Sequence, residues 1–243
     1  MKTVFVTGAS RGIGKSIALE LGKDYKVIVG FSNSQEQAAE VVEEIKKLGG
    51  ESLAIKLNIQ DKNSVDEAFN LIEKVYDHVD ILVNNAGNNR PEAFLDVTPE
   101  IYEEMWRVIC FGAFVVSQAT VRLMLTQQDI AERQSLFFTG ASGSLRGKAN
   151  FSAFASGKGA LRMLAQSIAR EFGPQNIHVA HVVIDGAING EKISSRFPEF
   201  LERLGEEGTL NIGAIAEAFM MLHAQHHTAW TQELDLRPFK ENY

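Results

Sequence analysis

Eight residues near the start of the chain, Thr7-Gly8-Ala9-Ser10-Arg11-Gly12-Ile13-Gly14, constrain the fold more than any other stretch. They follow a short apolar run over residues 4–7 and precede apolar residues at helical spacing over 13–21. A strand that turns on glycines directly into a helix opens a βαβ unit. Gly8 permits the sharp turn, Gly12 lets the backbone approach a pyrophosphate, and Gly14 lets the helix pack on the strand. The helix N-terminus then offers free N–H groups and a positive dipole end to the phosphates of a dinucleotide. The residues expected to hold it here are Gly8, Ser10, Arg11, Gly12, Ile13 and Gly14.

The remaining chain alternates in the same way. Short apolar strands are expected at 26–29, 53–57, 81–83, 136–138, 179–184 and 233–236. Helices are expected at 34–48, at 64–76 with Ser64 as N-cap, from about 101 into the 120s, at 155–172 and at 212–223. Such alternation implies an α/β fold, a doubly wound parallel sheet of Rossmann type with helices on both faces. With 243 residues, 45% apolar and 23% charged, and no linker or repeat, the chain reads as one domain over 1–243. A net charge of −7 argues against a nucleic-acid partner. The lone cysteine, Cys110, is read as a small core residue, and the absence of a signal peptide or membrane-spanning run gives a cytoplasmic expectation with no membrane partner.

The second strand ends in Gly30-Phe31-Ser32-Asn33-Ser34, and no carboxylate occurs before Glu36. An NAD-selective site places an acid there for the ribose 2′-hydroxyl. Hydroxyl and amide groups at Ser32, Asn33 and Ser34, with the cation of Arg11, favour NADP(H) over NAD(H). Ser34 also reads as the cap of the next helix.

On these residues the chain resembles the short-chain dehydrogenase/reductase family, its N-terminal half being most similar to 3-oxoacyl-acyl-carrier-protein reductases. Thr7 to Gly14 match the family's glycine motif, and Asn84-Asn85-Ala86-Gly87 its Asn-Asn-Ala-Gly. The resemblance implies cofactor contacts at Asn85, Ala86, Gly87 and Ile188, and at Asn58 and Ile59, which replace the family's Asp-Val at the adenine. The family's Tyr-x-x-x-Lys falls on Phe154 and Lys158, its serine on Ala141 with Ser142 adjacent, and its asparagine on Ile109. Its Pro-Gly and the threonine after it become Asp185-Gly186 and Gly190. Lys158 and Ser142 are therefore the candidate catalytic residues.

Three functions fit these residues: an NADP(H)-dependent oxidoreductase on a carbonyl or alcohol substrate with an altered tetrad, an NADP(H)-binding sensor or assembly subunit without turnover, and an interaction protein that keeps only the fold. Residues 189–208 are expected to cover a small-molecule pocket. The resemblance further implies a homodimer or homotetramer through the helices near 101–128 and 155–172, with Phe111, Phe114, Leu161 and Leu164 as apolar contacts. His223, His226 and His227 read as an exposed helix end. Residues 230–238 replace the family's glycine-rich C-terminal segment.

Overall fold

The structure, a computed structural model, describes residues 1–126, 133–188 and 198–240. Seven strands, β1 (Thr3–Val6), β2 (Lys26–Phe31), β3 (Glu51–Lys56), β4 (Ile81–Asn84), β5 (Gln134–Thr139), β6 (Ile177–Ile184) and β7 (Glu233–Leu236), pair in parallel in the order β3-β2-β1-β4-β5-β6-β7. The order reverses between β1 and β4, which leaves a crevice at the carboxyl ends of those strands.

Strand alternation sorts the apolar residues onto two faces. Val4, Val6, Val27 and Val29 point to one face, beneath α1 (Gly12–Leu21) and α2 (Gln35–Lys47). Phe5, Ile28, Leu82 and Phe138 point to the other, beneath α3 (Lys62–Tyr76), the long helical stretch from Pro99 to Thr126, and α6 (Ser152–Phe172). That stretch is α4 (Pro99–Trp106), a π turn over Arg107–Phe111, and α5 (Gly112–Thr126). It is long and apolar enough to cross a membrane, but 56% of its most apolar window is buried against the rest of the fold, as in a core helix. The helices α7 (Pro198–Leu204) and α8 (Ile212–Ala224) come after β6, and α8 packs on α1.

Several expectations are corrected. The cap of α3 is Asp61, whose carboxylate accepts from Asn63 N at 2.9 Å; Ser64 lies inside the helix and accepts from Asn58 N instead. Ser34 holds the N-cap position of α2 without a side-chain cap bond. His223 is not exposed. It is buried and bonds Ser135 Oγ at 2.8 Å through Nδ1, while His226 and His227 lie beyond the helix and stack on each other. Leu161 is a core residue, not a surface contact; Phe114 is exposed, and Phe111 and Leu164 are half-buried. Cys110 is buried, as expected. Gly190 and residues 127, 128 and 189–197 lie outside the described residues.

Candidate active site

The glycine turn after β1 is fixed by sterics and by β4. Gly8 and Gly12 adopt φ of +65° and +58°, which side chains rarely tolerate. A Cβ on Gly8 would lie 2.9 Å from Ala86 Cα, and one on Gly14 would lie 2.3 Å from the Gly8 carbonyl oxygen and 2.5 Å from Asn85 Nδ2. A Cβ on Gly12 would meet nothing within 4 Å, so this glycine faces open space at the N-terminus of α1. Thr7 Oγ1 accepts from the Asn85 and Ala86 amides at 3.0 and 3.1 Å, and Asn85 Nδ2 donates to the Thr7 and Gly8 carbonyls at 3.2 Å. The amide of Asn85 thus braces the turn, and Asn84 ties β4 to Ser117 on α5.

Along the same edge Ser32 and Asn33 are exposed, Ser32 Oγ donating to Asn33 Oδ1 at 3.3 Å. Asn58 is exposed and accepts from Gln60 N, whereas Ile59 packs its side chain where a Gly112 Cβ would be. Arg11 is exposed, and its guanidinium has no partner among the described residues.

A cleft of about 750 Å³ opens beside β4, β5 and β6. Of the residues expected from sequence, Ile13, Asn85, Gly87, Ser142, Lys158 and Ile188 line it. Gly8, Ser10, Arg11, Gly12, Gly14, Ala86, Ser32, Asn33, Ser34, Asn58 and Ile59 belong to the turns and the start of α1 that follow the carboxyl ends of the strands, but not to its lining.

Lys158 projects from α6 into this cleft, buried, with Nζ donating to the Thr139 carbonyl at 2.7 Å. Burial pulls its pKa from 10.5 down to about 8, because the charged form loses water. The ring of Phe154, one turn earlier, lies against that ammonium with its centroid 5.9 Å from Nζ. Ala141 and Ser142 sit in the turn after β5. The Ser142 hydroxyl makes no hydrogen bond among the described residues, while Ser144 is the turn serine that bonds its own backbone, at Ala141 O. Ile109 is buried in the π turn and packs its side chain on Gly157 of α6.

Sequence reasoning passed over two clusters. At the end of β6, Asp185 is buried and takes Arg146 Nη2 on both carboxylate oxygens, at 3.1 and 3.0 Å, and Arg237 Nη2 at 3.3 Å. Beneath α6, His181 bonds Glu233 through Nδ1 at 3.2 Å, and Arg162 forks onto the same Glu233 at 2.6 and 2.7 Å. Burial drops the His181 pKa to about 4. Its Nε2 fills the space a Cβ on Gly140 would need, 2.3 Å away. Two histidines within an otherwise apolar strand, His178 and His181, were the available signal for this cluster.

Comparison with known proteins places this geometry. The family model described as short chain dehydrogenase matches residues 2–193. The chain belongs to the short-chain dehydrogenase family. Within it, a 3-oxoacyl-acyl-carrier-protein reductase of Staphylococcus aureus is 34% identical over 204 residues, covering 84% of this chain and 81% of the relative. A trihydroxynaphthalene reductase of Colletotrichum orbiculare is 29% identical over 223 residues, 91% of this chain and 77% of the relative. Among solved structures, a short-chain dehydrogenase from Rhodopseudomonas palustris is 32% identical with a TM-score of 0.81, covering 98% and 99% of the two chains. An angucycline C-6 ketoreductase with bound NADP is 28% identical with a TM-score of 0.84, covering 96% and 93%. Members of the family bind a nicotinamide cofactor, and the chain shares their oxidoreductase fold over nearly all of these residues.

Proposed function

We propose that this family member is an NADP(H)-dependent oxidoreductase that acts on a small carbonyl or alcohol substrate with an altered tetrad. One observation carries the reading: the glycine turn, braced by Asn85 and open at Gly12, shares the sheet edge with a cleft into which Lys158 reaches from α6. The residues fit the cofactor. Gly8, Ser10, Gly12, Ile13 and Gly14 would hold the pyrophosphate, with Asn58, Ile59, Ala86 and Gly87 toward the adenosine, and Ile188 and Lys158 toward the nicotinamide ribose. Arg11, Ser32, Asn33 and Ser34 would hold the 2′-phosphate.

When bound, the cofactor supplies a hydride to the carbonyl carbon, and a proton must reach the carbonyl oxygen. Phe154 has no proton to give. Lys158, below its pKa of about 8 at neutral pH, holds one at Nζ, and the unpartnered hydroxyl of Ser142 is placed to orient the oxygen. The positions of Phe154, Ala141 and Ile109 favour the second reading, a binder without turnover, and NADPH consumption with carbonyl substrates separates the two.

NADPH is expected to bind at least about tenfold tighter than NADH, the worth of one or two charge-assisted hydrogen bonds. Arg11→Ala removes most of that preference and leaves NADH within about twofold. Titration of both cofactors by protein fluorescence checks this, and equal or tighter NADH binding sinks the NADP(H) assignment.

We read the protein as cytoplasmic, its lone buried thiol suiting a reducing compartment. It is further expected to form a homodimer or homotetramer through α4, α5 and α6. Tyr102, Trp106, Phe114, Leu125 and Met163 are the exposed large apolar side chains on these helices, and they replace Leu161 as the expected contacts. A monomeric mass by light scattering at micromolar concentration refutes this association.

A further inference from the structure

We propose that the substrate of this site carries a carboxylate, docked on Arg146. The proposal rests on the oxidoreductase reading above and names its substrate class. Among the described residues, the charged side chains lining the cleft are Arg146, Lys148, Lys158 and Asp185, three cations to one anion in a chain of net charge −7. Lys158 is deep and committed to the Thr139 carbonyl. Asp185 is saturated: its side chain is 3% exposed and receives both Arg146 and Arg237, the latter also bonding Asp235.

A buried carboxylate needs a compensating charge, and Arg237, with its side chain 14% exposed, already supplies one. Arg146 is different. Its side chain is 49% exposed, only Nη2 is engaged, and Nε and Nη1 make no hydrogen bond among the described residues. One edge of the guanidinium is therefore fixed by Asp185 while donors remain at the cleft. Such an anchored fork matches the geometry of a second carboxylate without having to be ordered first. Lys148 stands on the same loop, its ammonium 5.9 Å from the Phe151 ring centroid, and adds a second cation. The apolar lining at Phe151, Phe154, Ile184 and Leu204 suits an aryl or alkyl body attached to the acid.

An anion at Arg146 has two sources, a substrate carboxylate or a cofactor phosphate. The position favours the first. Arg146 comes after the Ser142 turn that follows β5 and lines the cleft together with Phe154, whereas Gly8, Ser10, Gly12 and Gly14 of the phosphate cradle, after β1, do not line it.

The test uses benzoylformate and 4-oxo-4-phenylbutanoate against their methyl esters, binding to the whole chain with and without saturating NADPH, measured by calorimetry. In low salt the acids are expected to bind about ten- to a hundredfold tighter than the esters, the range of one charge-assisted contact, with the preference shrinking at about 0.5 M salt. Arg146→Gln abolishes the preference, Arg146→Lys restores part of it, and Lys148→Gln lowers it less. Each variant leaves the NADPH dissociation constant within about threefold. Equal binding of acid and ester, or an acid preference that survives Arg146→Gln, overturns the proposal. So does an Arg146→Gln variant that loses NADPH while keeping the acid preference, which assigns the arginine to the cofactor phosphates. Acid preference without any NADPH binding keeps the carboxylate site and overturns the oxidoreductase reading alone.

Discussion

Phe154→Tyr raises the rate of NADPH consumption by up to about 10²-fold with any carbonyl substrate the protein accepts, the lower end of what a placed general acid contributes. The ring of Phe154 already lines the cleft and lies 5.9 Å from the Lys158 ammonium. A hydroxyl on that ring adds a proton donor beside a cation, and the cation favours the phenolate and lowers the phenol's pKa. The natural protein is correspondingly expected to be slow on simple ketones and 3-oxoacyl substrates. Adding Ala141→Ser raises the rate further by orienting the carbonyl, with non-additive gains because both groups act on one oxygen. The check is NADPH absorbance under saturating cofactor. A natural protein that turns over fast and is slowed by Phe154→Tyr shows that another group, Ser142 or Lys158, is the donor in an already complete site.

The sheet, its parallel pairing and the glycine turn were legible in the sequence because each rests on local chemistry: apolar runs of strand length, helical spacing, and glycines where a Cβ would strike Ala86 or the Gly8 carbonyl. Helix starts were less legible. Asp61 and Ser64 are both good caps on paper, and the choice falls to Asp61 because the backbone of Asn58 claims the Ser64 hydroxyl. The histidines show a sharper limit. His223, His226 and His227 share a helical spacing, yet the chain leaves the helix after Ala224, and His223 turns inward to Ser135, a partner 88 residues away. The Asp185 cluster was illegible for the same reason. Arg146, Asp185 and Arg237 come from three separate segments, and only the parallel pairing of β6 with β7 brings the last to the others.

Lys158→Met is expected to stabilise the protein at neutral pH while removing its affinity for NADPH. The lysine is buried, and its pKa of about 8 lies below the 10.5 of an exposed lysine because burial disfavours the ammonium. Between those two values the unfolded chain holds a proton that the folded chain has released, so stability rises with pH across the window from about 8 to 10.5. Below pH 8 both states are charged, and the folded state carries the full burial cost of about 3 kcal/mol at 1.36 kcal/mol per pH unit. Methionine has a similar shape and no charge, so it removes that cost. It also takes the donor from the Thr139 carbonyl, which returns about 1 kcal/mol. A net gain of about 2 kcal/mol corresponds to a melting temperature higher by roughly 4–8 °C at about pH 7 for a chain of this size. The advantage shrinks as pH rises and reverses above about 10.5, where the parent's lysine is neutral in both states and only the lost hydrogen bond remains. Melting curves of parent and variant by circular dichroism from about pH 6 to 11 test this, with NADPH titration alongside. A variant that is less stable at neutral pH and runs parallel to the parent across the range sinks the account. Crossing curves with lost NADPH binding mean that the fold retains a buried cation at a cost in stability because the cofactor site needs it.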